Sequence, residues 1–217
     1  QSFPFVYSDD DRKDLAPYLE TGPQGPEFEA ILKTLPEAEA HTVDFLVAAN
    51  QAVQQAVAYL VRLEPGVQTP EETLLAGSGS CRDSAWLLVH LMRRRGLAAR
   101  FVSGYLIQLT PDVKSVDGPS GPDADFTDLH AWCEVYVPGA GWIGLDATSG
   151  LLVSEGHIPL AATPSPRSAA PINGGHEPAE VEFDFHMEIR RVREEPRVTY
   201  PFTDAAWAEI DAAGKEV

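Results

Sequence analysis

The sequence predicts an α+β protein in which helices come first and antiparallel strands follow. Three observations carry this. Residues 37–58 contain neither Gly nor Pro, and Val43, Leu46, Val47, Val53 and Val57 leave one helical apolar stripe. Residues 81–95 form a second helical run whose middle, Ala85 to Met92, is apolar almost all round; such a helix belongs inside a domain. Residues 129–138 and 142–147 read as strands joined by Pro138-Gly139-Ala140-Gly141, a turn that makes them an antiparallel hairpin.

The other elements follow in chain order. Residues 1–26 are polar, carry Pro17, Gly22, Pro23, Gly25 and Pro26, and read as an arm or linker. Residues 27–35 suit a short helix stopped by Pro36. Tyr59 to Leu63 reads as a short strand, and Pro65-Gly66 as a turn. Pro70 to Leu75 suits a helical turn led by Pro, with Glu71 and Glu72 at its positive end. Gly77 to Ser80 is a loop. Ser80, with Asp83 three residues on, makes a capping pair for helix 81–95. Arg93, Arg94 and Arg95 suit that helix's negative end, and Gly96 its stop. Residues 98–109 read as a strand, 110–128 as a long polar loop and 149–178 as another loop. Residues 180–193 alternate apolar and polar from Val181 to Ile189, the pattern of a strand with one wet face. The last 20 residues read as the start of a helix. The expected organisation is an arm over 1–36, a core domain over 37–193 and a segment over 194–217 that opens a following region.

The charge excludes one class of function. With 16 Lys and Arg against 33 Asp and Glu, the net charge is 16 − 33 = −17. Nucleic acid and anionic lipid are bound by neutralising phosphates with basic groups, so neither is an expected partner. No apolar run reaches the roughly 18 residues that cross a bilayer. No basic, then apolar, leader is visible. The chain starts at Gln1 rather than Met, as a trimmed or processed product does. Cys81 and Cys133 do not form a C-x-x-C pair; a single disulfide between them stays open. Two cysteines in 217 residues fit a reducing, cytoplasmic compartment.

Three residues form a candidate catalytic set: Cys81, His130 and Asp146. Cys81 falls in the first turn of a buried helix, where free backbone N–H groups and the positive helix end stabilise a thiolate. The same N–H groups suit the oxyanion of a tetrahedral intermediate. His130 lies on one hairpin strand and Asp146 on the other, so the carboxylate can orient the imidazole. This is the nucleophile, base and orienter arrangement of acyl transfer.

The segment G-S-G-S-C-R-D-S-A-W-L-L-V-H-L-M-R-R-R-G-L-A-A-R-F-V-S-G-Y resembles the nucleophile helix and first core strand of transglutaminase-like proteins. D-L-H-A-W-C-E-V-Y-V-P-G-A-G-W-I-G-L-D-A-T resembles their His strand, hairpin and Asp strand, and G-H-I-P-L-A over 156–161 their continuation. The likeness covers about residues 40–193, and is nearest to the bacterial transglutaminase-like cysteine proteases. It implies a papain-like α+β core, with the Cys81 helix packed on an antiparallel sheet that carries His130 and Asp146. It implies that Cys81 is the nucleophile, His130 the general base and acid, and Asp146 the orienter. It implies a peptide or amide substrate and further domains in a longer parent protein; no cofactor and no metal are expected. One departure is Ala147, where the family usually has Pro after the Asp.

Other residues carry weaker signals. Gln68 and Tyr59 are candidates for a second oxyanion donor beside the Cys81 N–H. Trp132 and Trp142 wall a cleft or pack the core. Arg82 and Asp83 cap the helix or shape the charge near the thiol. Cys133 is expected in the core. His157 is a rival to His130, and His176 is incidental. Asp123, Asp125 and Asp128 alternate like calcium ligands but lack the Gly and closing Glu of an EF-hand loop. Asp128 is placed to tune His130. Three functions stay open: an amide hydrolase, an acyltransferase that uses an amine acceptor, and a non-catalytic binding module.

Overall fold

A computed structural model describes residues 2–111, 122–170, 174–175, 177–180, 182, 184, 186–192 and 202–215. Its N-terminal part holds strand β1 (Ser2–Phe3), helices α1 (Asp9–Asp14), α2 (Ala16–Leu19) and α3 (Pro26–Thr34), strand β2 (Ala40–His41) and helix α4 (Thr42–Ala56). Strand β3 (Ala58–Tyr59), helix α5 (Pro70–Ala76) and strand β4 (Ser78–Gly79) lead to the central helix α6 (Cys81–Arg94). Then come β5 (Ala99–Gln108), β6 (Phe126–Val137), β7 (Gly141–Asp146), β8 (Leu151–Leu152) and β9 (His157–Thr163). A 3₁₀ turn (Pro166–Ala169) and helix α7 (Asp204–Lys215) follow. No helix among the described residues is long and apolar enough to cross a membrane.

The main sheet has the order β8-β7-β6-β5-β9, and every pair in it is antiparallel. Helix α6 lies against β5 and β6. Its buried Ala85, Leu88 and Met92 share one core with Phe45 and Val53 of α4, Phe101 of β5, and Ala131, Cys133 and Val135 of β6. The class is therefore the expected α+β, a helix on an antiparallel sheet.

Three local expectations change and a fourth is extended. The segment 1–36 does not stand apart as a linker. Phe3 and Tyr7 are buried, Phe3 stacks on Phe45 at 3.7 Å, and β1 pairs with β2. The Tyr7 hydroxyl donates to Tyr136 O at 2.7 Å and accepts from Ala98 N–H at 2.9 Å. Alternating aromatics at 3, 5 and 7 supply apolar area that the Pro and Gly content hides. Arg93 sits in the last turn of its helix as expected, but its role goes beyond a cation there: it is buried, with its guanidinium donating to Ala99 O, Glu20 O and Pro164 O. The stretch 149–178 contains β8, β9 and the 3₁₀ turn. Its Pro159 is tolerated because β9 is an edge strand, where a missing N–H costs no ladder bond. The strand expected at 180–193 is not seen among the described residues there; 181, 183, 185 and 193 lie outside them.

Candidate active site

The Cys81 end of the site is built by a buried carboxylate. Cys81 is the first residue of α6, with Ser80 as its extended N-cap. The Asp83 carboxylate is fully buried and accepts from Ser80 N–H and the Ser80 hydroxyl at 2.8 and 2.7 Å, and from Gln68 N–H at 2.8 Å. Arg62 closes on the same carboxylate at 3.0 and 3.2 Å. Burial pushes the Asp83 carboxyl up, but Arg62 and these N–H groups outweigh it and hold the pKa below the ordinary value. Gly79 permits the close approach: a Cβ there would sit 2.9 Å from that of Asp83. Arg82 donates to Arg62 O at 3.0 Å and so pins the same loop. The sequence signal for a cap was right in type, but its charge partner lies 21 residues upstream.

The sheet supplies the other end. His130 on β6 is paired with Gly104 on β5. Asp146 ends β7, one residue past the Cys133–Leu145 pair. His130 Nε2 lies 3.2 Å from Asp146 Oδ1, an ion-pair contact that is not aligned as a hydrogen bond. The Cys81 thiol is near enough to this ring to favour its protonated form. Burial opposes protonation of His130, but Asp146 and Cys81 outweigh that and raise its pKa to about 9. Burial likewise pushes Asp146 up, while His130, His157 and the Thr148 N–H hold it well below the usual carboxylate range. Oδ1 accepts from Thr148 N–H at 2.9 Å and Oδ2 from the Ser149 hydroxyl at 2.9 Å. From α4, Asn50 Nδ2 donates to Asp146 O at 3.2 Å and Leu151 O at 3.0 Å. The structure thus brings Cys81, His130 and Asp146 into one site. Thr148, Ser149 and Asn50, which support it, carry no motif that sequence reading could use.

Several secondary candidates can be placed. His157 is the second imidazole at Asp146, with Nε2 3.5 Å from Oδ2. Trp132 is fully buried and packs beside both histidines, with ring centroids 6.4 Å from His130 and 5.3 Å from His157. Trp142 packs instead against Tyr18, Tyr136 and Arg100. Tyr59 lies near Cys81: burial raises its phenol pKa, and the fields of Cys81 and Asp128 add to this. The Gln68 side chain accepts from the Thr73 hydroxyl, so it serves the loop. Cys133 is fully buried, Cys81 is half-buried, and both are free thiols, so the disulfide left open is not formed. Asp125 is taken up by Arg191 and Thr110 N–H, and Asp128 by its neighbour's N–H. His176 lies outside the described residues. A cavity of about 490 Å³ opens beside Arg82, walled by Trp86, Phe101, Pro166 and Arg167.

One cluster has a metal-like composition. Single donor atoms of His130, Asp146 and His157 lie within 4.8 Å of one another. Proton bookkeeping distinguishes the alternatives. Ser154 N–H donates to His157 Nδ1 at 3.3 Å, so Nδ1 is an acceptor. A neutral imidazole then carries its proton on Nε2, the nitrogen that faces Asp146. A ligating histidine normally donates through its other nitrogen, the reverse of this pattern.

Comparison with known proteins agrees with the fold. The model of the Transglutaminase-like superfamily matches residues 30–147. Residues 177–217 match a second model, described as "Putative amidoligase enzyme (DUF2126)". Protein Rv2569c of Mycobacterium tuberculosis is 37% identical over 107 residues, which are 48% of this chain and 32% of that protein. Protein ML0607 of Mycobacterium leprae is 29% identical over 117 residues, 52% and 38% of the two chains. The match thus spans about a third of the length of these curated relatives. A crystal structure of a "putative cysteine protease" from Cytophaga hutchinsonii superposes with a TM-score of 0.55 at 24% identity, covering 73% of this chain and 49% of that one. With the family model matching more than half of the chain, this protein belongs to the transglutaminase-like superfamily.

Proposed function

We propose that the chain is a cysteine-dependent amide hydrolase that works through an acyl-enzyme. The observation that carries this reading is His130, whose Nε2 lies 3.2 Å from the Asp146 carboxylate and whose protonation is favoured by both Asp146 and Cys81. His130 holds the proton given up by the thiol while Cys81 Sγ attacks the amide carbonyl carbon. The oxyanion is met by backbone N–H groups at the start of α6. Collapse breaks the C–N bond, and His130 returns the proton to the leaving amine. Water, deprotonated by His130, then attacks the thioester; the acid leaves and the thiol is restored. Asp146 orients the ring and stabilises its cationic form.

Peptide or amide substrates and neighbouring domains of a longer protein belong to this proposal. The tail's likeness to a second family supports the latter. Release to water rather than to an amine is what separates the hydrolase from an acyltransferase; ammonia release against amine incorporation measures it.

The test is iodoacetamide alkylation of Cys81 against pH. An ordinary thiol, with a pKa of about 8.5, loses reactivity about tenfold per pH unit below it. Labelling at pH 6 is expected to stay near its pH 8 rate, and to drop about tenfold or more in His130→Ala. A steep loss at low pH in both proteins would leave Cys81 an unactivated thiol and favour a binding module.

A further inference from the structure

His157 belongs to no part of the mechanism above, yet its side chain is only 7% exposed and its Nε2 is sealed from solvent. Neither that atom nor His130 Nε2 makes an aligned hydrogen bond within the described structure, and each approaches a different oxygen of Asp146. Three features fix how His157 is presented. It opens β9, which pairs with β5 on the side opposite β6. Ser154 N–H occupies its Nδ1, which leaves the proton on Nε2. Trp132 meets its ring at 84°, edge to face, and limits its rotation.

Resting on the acyl-transfer reading of the site, we propose that His157 is a positioning residue, a neutral Nε2–H donor that holds Asp146 Oδ2 so that Oδ1 stays aimed at His130. The chemistry requires such a hold. A carboxylate on a single rotatable bond has two equivalent oxygens, and it orients an imidazole only when its plane is fixed. Thr148 N–H fixes one side and Ser149 with His157 the other. Hydrogen bonds of this kind are often long in a resting site and tighten when the imidazole becomes cationic. A shift of the carboxylate by about 1 Å is enough to cost as much as 10²-fold in rate. The proton moves only between Cys81 and His130; His157 keeps its own throughout.

The experiment uses the whole chain and three proteins besides the wild type: His130→Ala, His157→Phe and His157→Gln. Cys81 alkylation by iodoacetamide is followed from pH 5 to 9. Gln offers a donor near the position of Nε2–H, and Phe offers none. The ratio of the pH 6 to the pH 8 labelling rate is expected to fall about tenfold in His157→Phe and to recover in His157→Gln. A packing role alone would change stability in both variants and leave that ratio unmoved. If the wild type and His130→Ala behave alike, the acyl-transfer reading fails and this inference with it. If they differ while His157→Phe matches the wild type, only the role of His157 is lost.

A measurement on the unmutated protein stands beside this, in case His157→Phe does not fold. Long-range ¹H–¹⁵N spectra of the imidazoles should show His157 protonated at Nε2 and bare at Nδ1. The opposite tautomer overturns the proposal. So does stoichiometric zinc uptake that displaces the Nε2 proton, since a ligating nitrogen cannot also donate.

Discussion

The loop that presents Cys81 and the sheet-side cluster of His130 and His157 each centre on a buried carboxylate, Asp83 in one and Asp146 in the other. Both are nearly inaccessible, and both are held anionic against burial. Their partners differ in kind. Asp83 faces a guanidinium that stays charged at any working pH, together with backbone N–H groups and a hydroxyl. Asp146 faces two imidazoles, one of which, His130, takes up and releases a proton in the proposed reaction. The first carboxylate is spent on geometry: it fixes the turn that presents Cys81. The second is a fixed negative charge whose worth to the site depends on the proton state of its neighbour. One residue type thus serves as a static brace or as part of a proton path, according to whether its partner titrates.

Substitutions at these two positions sharpen the contrast. Asp146→Asn is expected to fold and to lose about 10⁴-fold in turnover, because the amide favours the wrong imidazole tautomer. Ammonia release from glutamine-containing peptides measures this, and turnover within tenfold of the wild type would remove Asp146 from the mechanism. Asp83→Asn acts on the other quantity. It leaves the Arg62 charge in a site where its side chain is only 14% exposed, at a cost of about 3–5 kcal/mol in urea unfolding. A near-neutral result would show that the loop is braced by its backbone bonds alone.

The pH dependence of stability separates the two sites further. His130 has its pKa raised from 6.5 to about 9, so its contribution is complete below pH 6.5 and is lost as the pH climbs through 9. The wild type should lose stability over that window, and His130→Ala should lose less; equal slopes would break the assignment. The smallest effect is expected at Arg191→Ala. Its partner Asp125 is solvent-screened, so stability is expected to change little and Cys81 labelling to stay unchanged. A labelling change there would mean that the acidic loop reaches the site.

What could be read in the sequence follows from how local each signal is. Helix α6 was legible because its cap, its apolar middle and Gly96 lie within one window. The β6–β7 hairpin was legible from its four-residue turn, and with it the neighbourhood of His130 and Asp146. Strand β9 was not, since Pro159 and small residues erase the alternation that marks a strand, and His157 was therefore placed in a loop. The Arg62–Asp83 pair, the Asn50 clamp and the burial of Phe3 and Tyr7 are contacts between distant parts of the chain. Composition and periodicity carry no record of them.

The Asn50 clamp has a dynamic consequence. One buried amide on α4 holds the carbonyls of Asp146 and Leu151, at the two ends of a short turn. Protein segments open in cooperative units, and a unit is as hard to open as its strongest tether. The turn that carries the acid is a surface connection by position but is tied to a core helix by that amide. Its opening is expected to follow that of the helix rather than the fraying of a loop, which would keep Asp146 in place beside His130.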